Sequence, residues 1–200
     1  LLPGSTNSRF RRERRGPKGR TAEIERLVAR SLRGAIDLYQ LGPIALNVDC
    51  DILNADGGTR CASVTAAAMA MRLAVRRLIA GGDCLPPVLR PTYEERKGGW
   101  VAPTLSAEER AAHEAAVIPL DIAAVSVGLI DGQTYLDLDY MLDSNADVDL
   151  NVVMLADGSL VEVQGTGEES TFSRQELAEM LDLAEVGLAQ INTSQQQIIG

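Results

Sequence analysis

Three groups of residues in this sequence carry chemistry by their type and spacing. The first closes the stretch Asp49 to Arg60, DCDILNADGGTR, where Gly57, Gly58, Thr59 and Arg60 follow an alternating apolar run. Ile44, Leu46, Val48, Cys50 and Ile52 recur at period two, which predicts a strand. A Gly-Gly turn lets the backbone bend sharply and approach whatever lies above it. If a helix starts directly afterwards, its free N–H groups and dipole point at the same spot. With a guanidinium and a hydroxyl alongside, this is an oxyanion cradle suited to phosphate. The same residues also read as a tight strand-to-helix turn with a surface arginine. The second group is Arg20, just before a helix that the pattern starts at Thr21. Two arginines at two helix mouths can converge on one anion. The third is the acidic cluster Asp137, Asp139, Asp143, Asp147 and Asp149. Asp143 and Asp147 share a face in a helical turn, and Asp147 and Asp149 share one in a strand. Either pair presents carboxylates to a hard cation such as Mg²⁺, and either can equally be a set of solvated turn residues.

Charge distribution qualifies the whole-chain value of −9. Leu1 to Arg33 holds ten Lys/Arg against three Glu, a local +7, which leaves −16 for the rest. Fields are screened over roughly 10 Å in physiological salt, so a basic arm on an acidic body still attracts a polyanion. Arg9, Arg11 and Arg12, with Arg14 and Arg15, can neutralise an RNA backbone, and Phe10 among them offers a stacking surface. A solvated basic loop is the plainer alternative.

At 200 residues, 46% hydrophobic and 24% charged, the chain has enough apolar material for a packed core. Only 4% is aromatic, so that core must be aliphatic. No apolar run is long enough for a bilayer span. Cys50, Cys61 and Cys84 show no CxxC or CxxH spacing, which argues against zinc and disulfides and for a reducing, cytoplasmic setting. The opening Leu1-Leu2-Pro3-Gly4, without Met, suggests a fragment lacking upstream sequence.

The elements that must position these groups follow from periodicity. Ile24, Leu27, Val28, Leu32, Ala35 and Ile36 form a helical stripe after Thr21. A second helix, small-residue rich, runs from about Ala62 to Ala80, with Arg72, Arg76 and Arg77 facing solvent, and ends at Gly81-Gly82. Asp83 to Pro119 is Pro/Gly-rich with one short helix capped by Ser106 and Glu109, and reads as an insertion carrying a surface His113. Two hairpins follow, Ile122 to Ile130 with Thr134 to Leu138, and Asn151 to Leu155 with Leu160 to Gln164. Ser173 and Glu176 cap a terminal helix.

GRTAEIERLVARSLR, DCDILNADGGTR, AAVSVGLIDG, DLDYMLDSNADVDLNVVM and LVEVQGT together resemble, in order, the ribonuclease PH family. The resemblance implies an α+β fold like the second domain of ribosomal protein S5, a mixed β-sheet with helices packed on it. It implies one such domain over 1–200, lacking its N-terminal strands and carrying an insertion at 83–119. The implied activity is phosphate-dependent 3′→5′ exoribonuclease trimming of tRNA precursors. Inorganic phosphate is the co-substrate, Mg²⁺ the cofactor, nucleoside diphosphates the products, and a hexameric ring built as a trimer of dimers the assembly. By matching motif, Arg20, Gly58, Thr59 and Arg60 would bind phosphate, Asp143 and Asp147 would be catalytic, and Asp143, Asp147 and Asp149 would lie at the metal. Arg9 and Arg12 match basic positions that contact tRNA, whereas Gly4 stands where the family pattern has another arginine. A catalytically silent RNA-binding ring subunit of an exosome-like complex is the alternative. Such subunits tend to lose the phosphate arginine or the catalytic aspartate, and both types are present here.

Overall fold

The computed structural model describes residues 1–6, 19–167 and 170–199. Arg9, Arg11 and Arg12 lie outside the described residues. Four strands, β1 (Ile122–Ile130), β2 (Gln133–Leu136), β3 (Val148–Leu155) and β4 (Leu160–Gly167), form one sheet in the order β2-β1-β3-β4. Among the described residues every pairing is antiparallel, where the resemblance implies a mixed sheet. The cause is local. The Asp131-Gly132 and Asp157-Gly158 turns close hairpins, with positive φ at Asp131, Gly132 and Gly158, and the short link through α6 (Tyr140–Asp143) returns β3 beside β1.

The predicted strand through Ile44 to Ile52 joins no ladder among the described residues. Its alternation holds only in part: Ile44, Leu46 and Ile52 are half-buried and Ala45 and Asn47 exposed, but Val48 and Cys50, which belong to the predicted apolar face, are exposed as well. Its described backbone bonding to another segment is the Leu2 N–H donating to the Ile52 carbonyl at 3.1 Å. Hydrophobic patterning thus indicates which face can be buried, whereas a strand also needs a neighbour to pair with.

Long helices cover both faces of the sheet. On one lie α1 (Gly19–Ala35) and α3 (Thr59–Gly81), whose Leu27, Leu32, Val64, Ala67, Met71 and Val75 pack toward Ile122, Ala124 and Val153. On the other lies α7 (Arg174–Ile199), whose Met180, Ala184 and Leu188 meet Val125, Val127, Leu150 and Val152. Ser173 and Glu176 cap α7 reciprocally, at 2.6 and 3.2 Å. Arg20 and Thr21 fall inside the first turns of α1 rather than before it, and Arg60 likewise lies inside α3.

The segment 83–119 is more integrated than a surface insertion. After α2 (Leu38–Leu41) and the short, exposed α4 (Tyr93–Lys97), helix α5 (Ala107–Val117) packs against α3 and α2. His113 is buried, not exposed, and its Nε2 lies 3.5 Å from the Cys84 thiol. Arg72 does not face solvent either. It bonds Asp121 at 2.9 Å and Glu114 at 3.0 Å, and Arg76 takes the other Glu114 oxygen at 2.7 Å. Two arginines one turn apart thereby clamp α5 to α3 through a shared carboxylate.

Candidate functional site

The site forms where the N-terminus of α3 meets the middle of the sheet. Gly58, the residue before α3, has φ +63 and offers no side-chain cap, so the first-turn N–H groups of a 23-residue helix are left for another acceptor. Gly57 lies so close to the Leu138 carbonyl that any Cβ would collide with it. Asp56 fixes the turn from the other side, accepting from the Tyr140 N–H at 2.6 Å. The glycine turn and the acidic loop are therefore seated on each other.

Arg60 projects toward the sheet and pairs directly with Asp149 of β3. Its other arm lies 3.9 Å from Glu23, on the first turns of α1. Both carboxylates are tethered by amides on adjacent strands. Asn151 Nδ2 reaches both oxygens of Asp149 at 3.4 Å, and Gln164 Nε2 donates to Glu23 at 2.6 Å. Asn151 and Gln164 are register partners across β3 and β4, and Ser126 of β1 is the partner of Asn151 on its other side. Ser126, Asn151 and Gln164 thus make a polar row across three strands on the face that carries α3. The Ser126 hydroxyl is buried and has no hydrogen-bond partner among the described residues; it lies 3.2 Å from where a Gly58 Cβ would stand.

Cys61 reports on the surrounding charge. Its thiol donates to Asn151 Oδ1 at 3.1 Å, and burial pushes its pKa up to about 12. Arg60 opposes that rise, whereas Asp149, Asp137 and Asp143 add to it. One arginine and three carboxylates therefore act on a single buried atom beside the α3 start, and Cys61 itself stays a neutral thiol.

Of the residues singled out in the sequence, Gly58, Thr59, Arg60 and Asp149 are brought together here, and Asp143 on α6 lies near enough for its charge to act on Cys61. Arg20 is exposed on α1, one turn before Glu23, and lines a cavity of about 870 Å³ that Thr59 and Ser63 also line. Asp147 is engaged differently: its Oδ2 accepts from the Asp131 N–H at 2.9 Å, anchoring the β1–β2 turn. Sequence reasoning passed over Glu23, Ser126, Asn151 and Gln164 as site residues. The available signal was a polar residue interrupting an apolar strand, as Ser126 does in IAAVSVGLI. Asp137, noted only as one of the acidic residues, has φ +56, an uncommon backbone for a residue with a side chain.

No group of three or more His, Cys, Asp or Glu among the described residues is placed to hold a metal ion by protein ligands alone. Asp143 and Asp149 do supply hard oxygen donors near the α3 N-terminus. That donor set fits Mg²⁺, which commonly binds through one or two carboxylates together with water and substrate phosphate.

The α+β fold is similar to that of a chain in a solved exosome. A solved structure described as the Archaeoglobus fulgidus exosome with RNA bound to the active site superposes with a TM-score of 0.56 at 17% identity, over 91% of this chain and 64% of that one. Family models agree: residues 1–76 match domain 1 and residues 122–187 match domain 2 of the 3′ exoribonuclease family. Ribonuclease PH of Rhodopirellula baltica is 46% identical over 197 residues, 98% of this chain and 70% of that protein. Ribonuclease PH of Crocosphaera subtropica is 42% identical over 199 residues, 100% of this chain and 71% of that protein. The chain belongs to the 3′ exoribonuclease family, in its ribonuclease PH branch.

Proposed function

We propose that this chain is a phosphate-dependent 3′→5′ exoribonuclease that shortens tRNA precursors from the 3′ end and releases nucleoside diphosphates. The observation that carries the reading is Arg60, held at an uncapped helix N-terminus beside paired carboxylates. Phosphorolysis must bring a phosphate dianion up to a phosphodiester, so two anions have to be held together. Arg60, the first-turn N–H groups of α3 and the Thr59 hydroxyl reduce that repulsion and aim the phosphate, with Arg20 contributing from α1. A phosphate oxygen attacks the terminal phosphorus, and the bond to the 3′-oxygen breaks. That oxygen leaves with a proton, for which Asp143 and Asp147 are the two candidate acids. Asp149 and whichever of Asp143 and Asp147 does not serve as the acid would hold Mg²⁺, which would supply positive charge to stabilise the reacting phosphate. Retention of Arg20, Arg60 and Asp143 favours this reading over a silent exosome-like ring subunit.

The rest of the reading follows the same family. The working assembly is a hexameric ring, a trimer of dimers, acting in the cytoplasm. Among the described residues no helix is long and apolar enough to cross a membrane. Arg9, Arg11 and Arg12 supply backbone contacts to the RNA. Residues 1–200 form one ribonuclease PH domain with 83–119 inserted, supported by the gap between the two family matches at 77–121. The test is to incubate the protein with a tRNA carrying extra 3′ nucleotides, with and without inorganic phosphate. Trimming that depends on phosphate is expected; trimming at equal rate without it would sink the proposal.

A further inference from the structure

Glu23 is held in an unusual way for a surface carboxylate. It stands 3.9 Å from Arg60, close enough for attraction but too far for a hydrogen bond. What keeps it there is Gln164, whose Nε2 donates to Glu23 Oε1 at 2.6 Å. That tether has a cost, because it leaves Gln164 Oε1 buried without a partner among the described residues. A half-buried amide that holds a carboxylate while its own buried oxygen goes without a partner calls for a reason.

The two carboxylates on Arg60 are not equivalent. The Asp149 side chain is 16% exposed and touches Arg60 directly, with both oxygens in reach of Asn151. The Glu23 side chain is 49% exposed, and among the described residues no hydrogen bond engages its Oε2. An anion approaching Arg60 from solvent on the α1 side therefore meets a guanidinium and a fixed carboxylate acceptor together.

We propose that Glu23, positioned by Gln164, is a specificity-determining residue that selects hydrogen phosphate over oxyanions carrying no proton, such as sulfate; this rests on the reading of Arg60 as the phosphate-holding arginine. At neutral pH the phosphate dianion keeps one P–OH group, and sulfate keeps none. Phosphate presents oxygen to Arg60 and donates its P–OH to Glu23, a charge-assisted bond. Sulfate faces the same carboxylate with oxygen against oxygen, losing that bond and adding repulsion. One charge-assisted hydrogen bond corresponds to discrimination of roughly tenfold or more. The selection suits a reaction that consumes phosphate, since the co-substrate is read by its proton as well as by its charge.

The test uses calorimetric binding of inorganic phosphate and of sulfate to the full chain, its Glu23→Gln and Glu23→Ala variants, and Gln164→Met. The wild type is expected to favour phosphate at least tenfold, and both Glu23 variants to bring the ratio to within about threefold of unity, chiefly through tighter sulfate binding. Gln164→Met, which frees the carboxylate, is expected to lie between. A merely structural role for Glu23 would weaken both anions together and leave their ratio unchanged. Equal affinities in the wild type, or an unchanged ratio in both Glu23 variants, would overturn the inference. The underlying reading fails separately if Arg60→Ala still binds phosphate like the wild type.

Discussion

Facing α7, strands β1 and β3 present Ala123, Val125, Val127 and Leu129 against Val148, Leu150, Val152 and Met154, apolar from end to end. Facing α3, the same strands present Ile122 and Ala124 against Val153, and then change to Ser126 and Gly128 against Asn151 and Asp149. Both faces obey period two, and both are covered by a long helix. They differ only in the half of the second face that lies under the α3 N-terminus. There a buried polar row replaces hydrocarbon, with a desolvation cost that hydrogen bonding only partly offsets. The comparison separates two tasks of one sheet. The α7 face supplies cohesion, and the polar half of the α3 face gives up cohesion to hold Arg60, Asp149 and Glu23 in place.

Substitutions on either face test that division. The largest effect is expected from Arg60→Ala: a loss of roughly 30- to several-thousandfold in kcat/KM for phosphate, with RNA affinity little changed. Steady-state kinetics with phosphate as the varied substrate checks it, and equal loss of RNA affinity would make Arg60 an RNA contact instead. On the opposite face, Leu188→Ala should lower unfolding stability by about 2–4 kcal/mol in urea titrations while leaving the phosphate KM of the folded fraction unchanged. A shifted KM there would mean the two faces are not independent.

Ser126→Ala sharpens the comparison inside the polar row. Its hydroxyl is buried and unpartnered, so removal should be neutral or stabilise by up to about 1 kcal/mol. If phosphate affinity falls tenfold instead, the hydroxyl belongs to the cradle. The smallest effect concerns His113, far from the row. Burial, with a minor contribution from Arg90, holds its pKa below the ordinary value of 6.5. The unfolded chain therefore binds more protons than the folded one between that lowered value and 6.5. Stability falls as pH drops through this window and levels off below it. His113→Gln should lose less melting temperature than the wild type between pH 7 and pH 5; parallel curves would contradict the assignment.

Much of this architecture is legible from pattern alone. β1 follows from a short apolar run that ends at a turn, the hairpin turns from Asp-Gly pairs, and the caps of α5 and α7 from Ser-x-x-Glu. Gly57-Gly58-Thr59-Arg60 points to an anion site because the needed groups are contiguous. Glu23, Asn151 and Gln164 are not contiguous with Arg60. Their partnership arises from strand register and from the way α1 crosses α3, which no local window contains. His113 and Arg72 read as surface residues by composition. Their burial depends on α5 folding back onto α3, again a tertiary fact. The run from Ile44 to Ile52 shows the converse: its period-two apolar residues are covered only at Ile44, Leu46 and Ile52, and the ladder that alternation suggests is absent among the described residues.

The central claim is that Arg60 and the α3 N-terminus hold phosphate as the attacking group. Its most direct test is product analysis after trimming an extended tRNA in the presence of isotopically labelled inorganic phosphate. The account predicts nucleoside diphosphates carrying the label at the β-phosphorus, since the new bond joins the added phosphate to the terminal nucleotide. Unlabelled nucleoside monophosphates would show that water is the nucleophile and would contradict it.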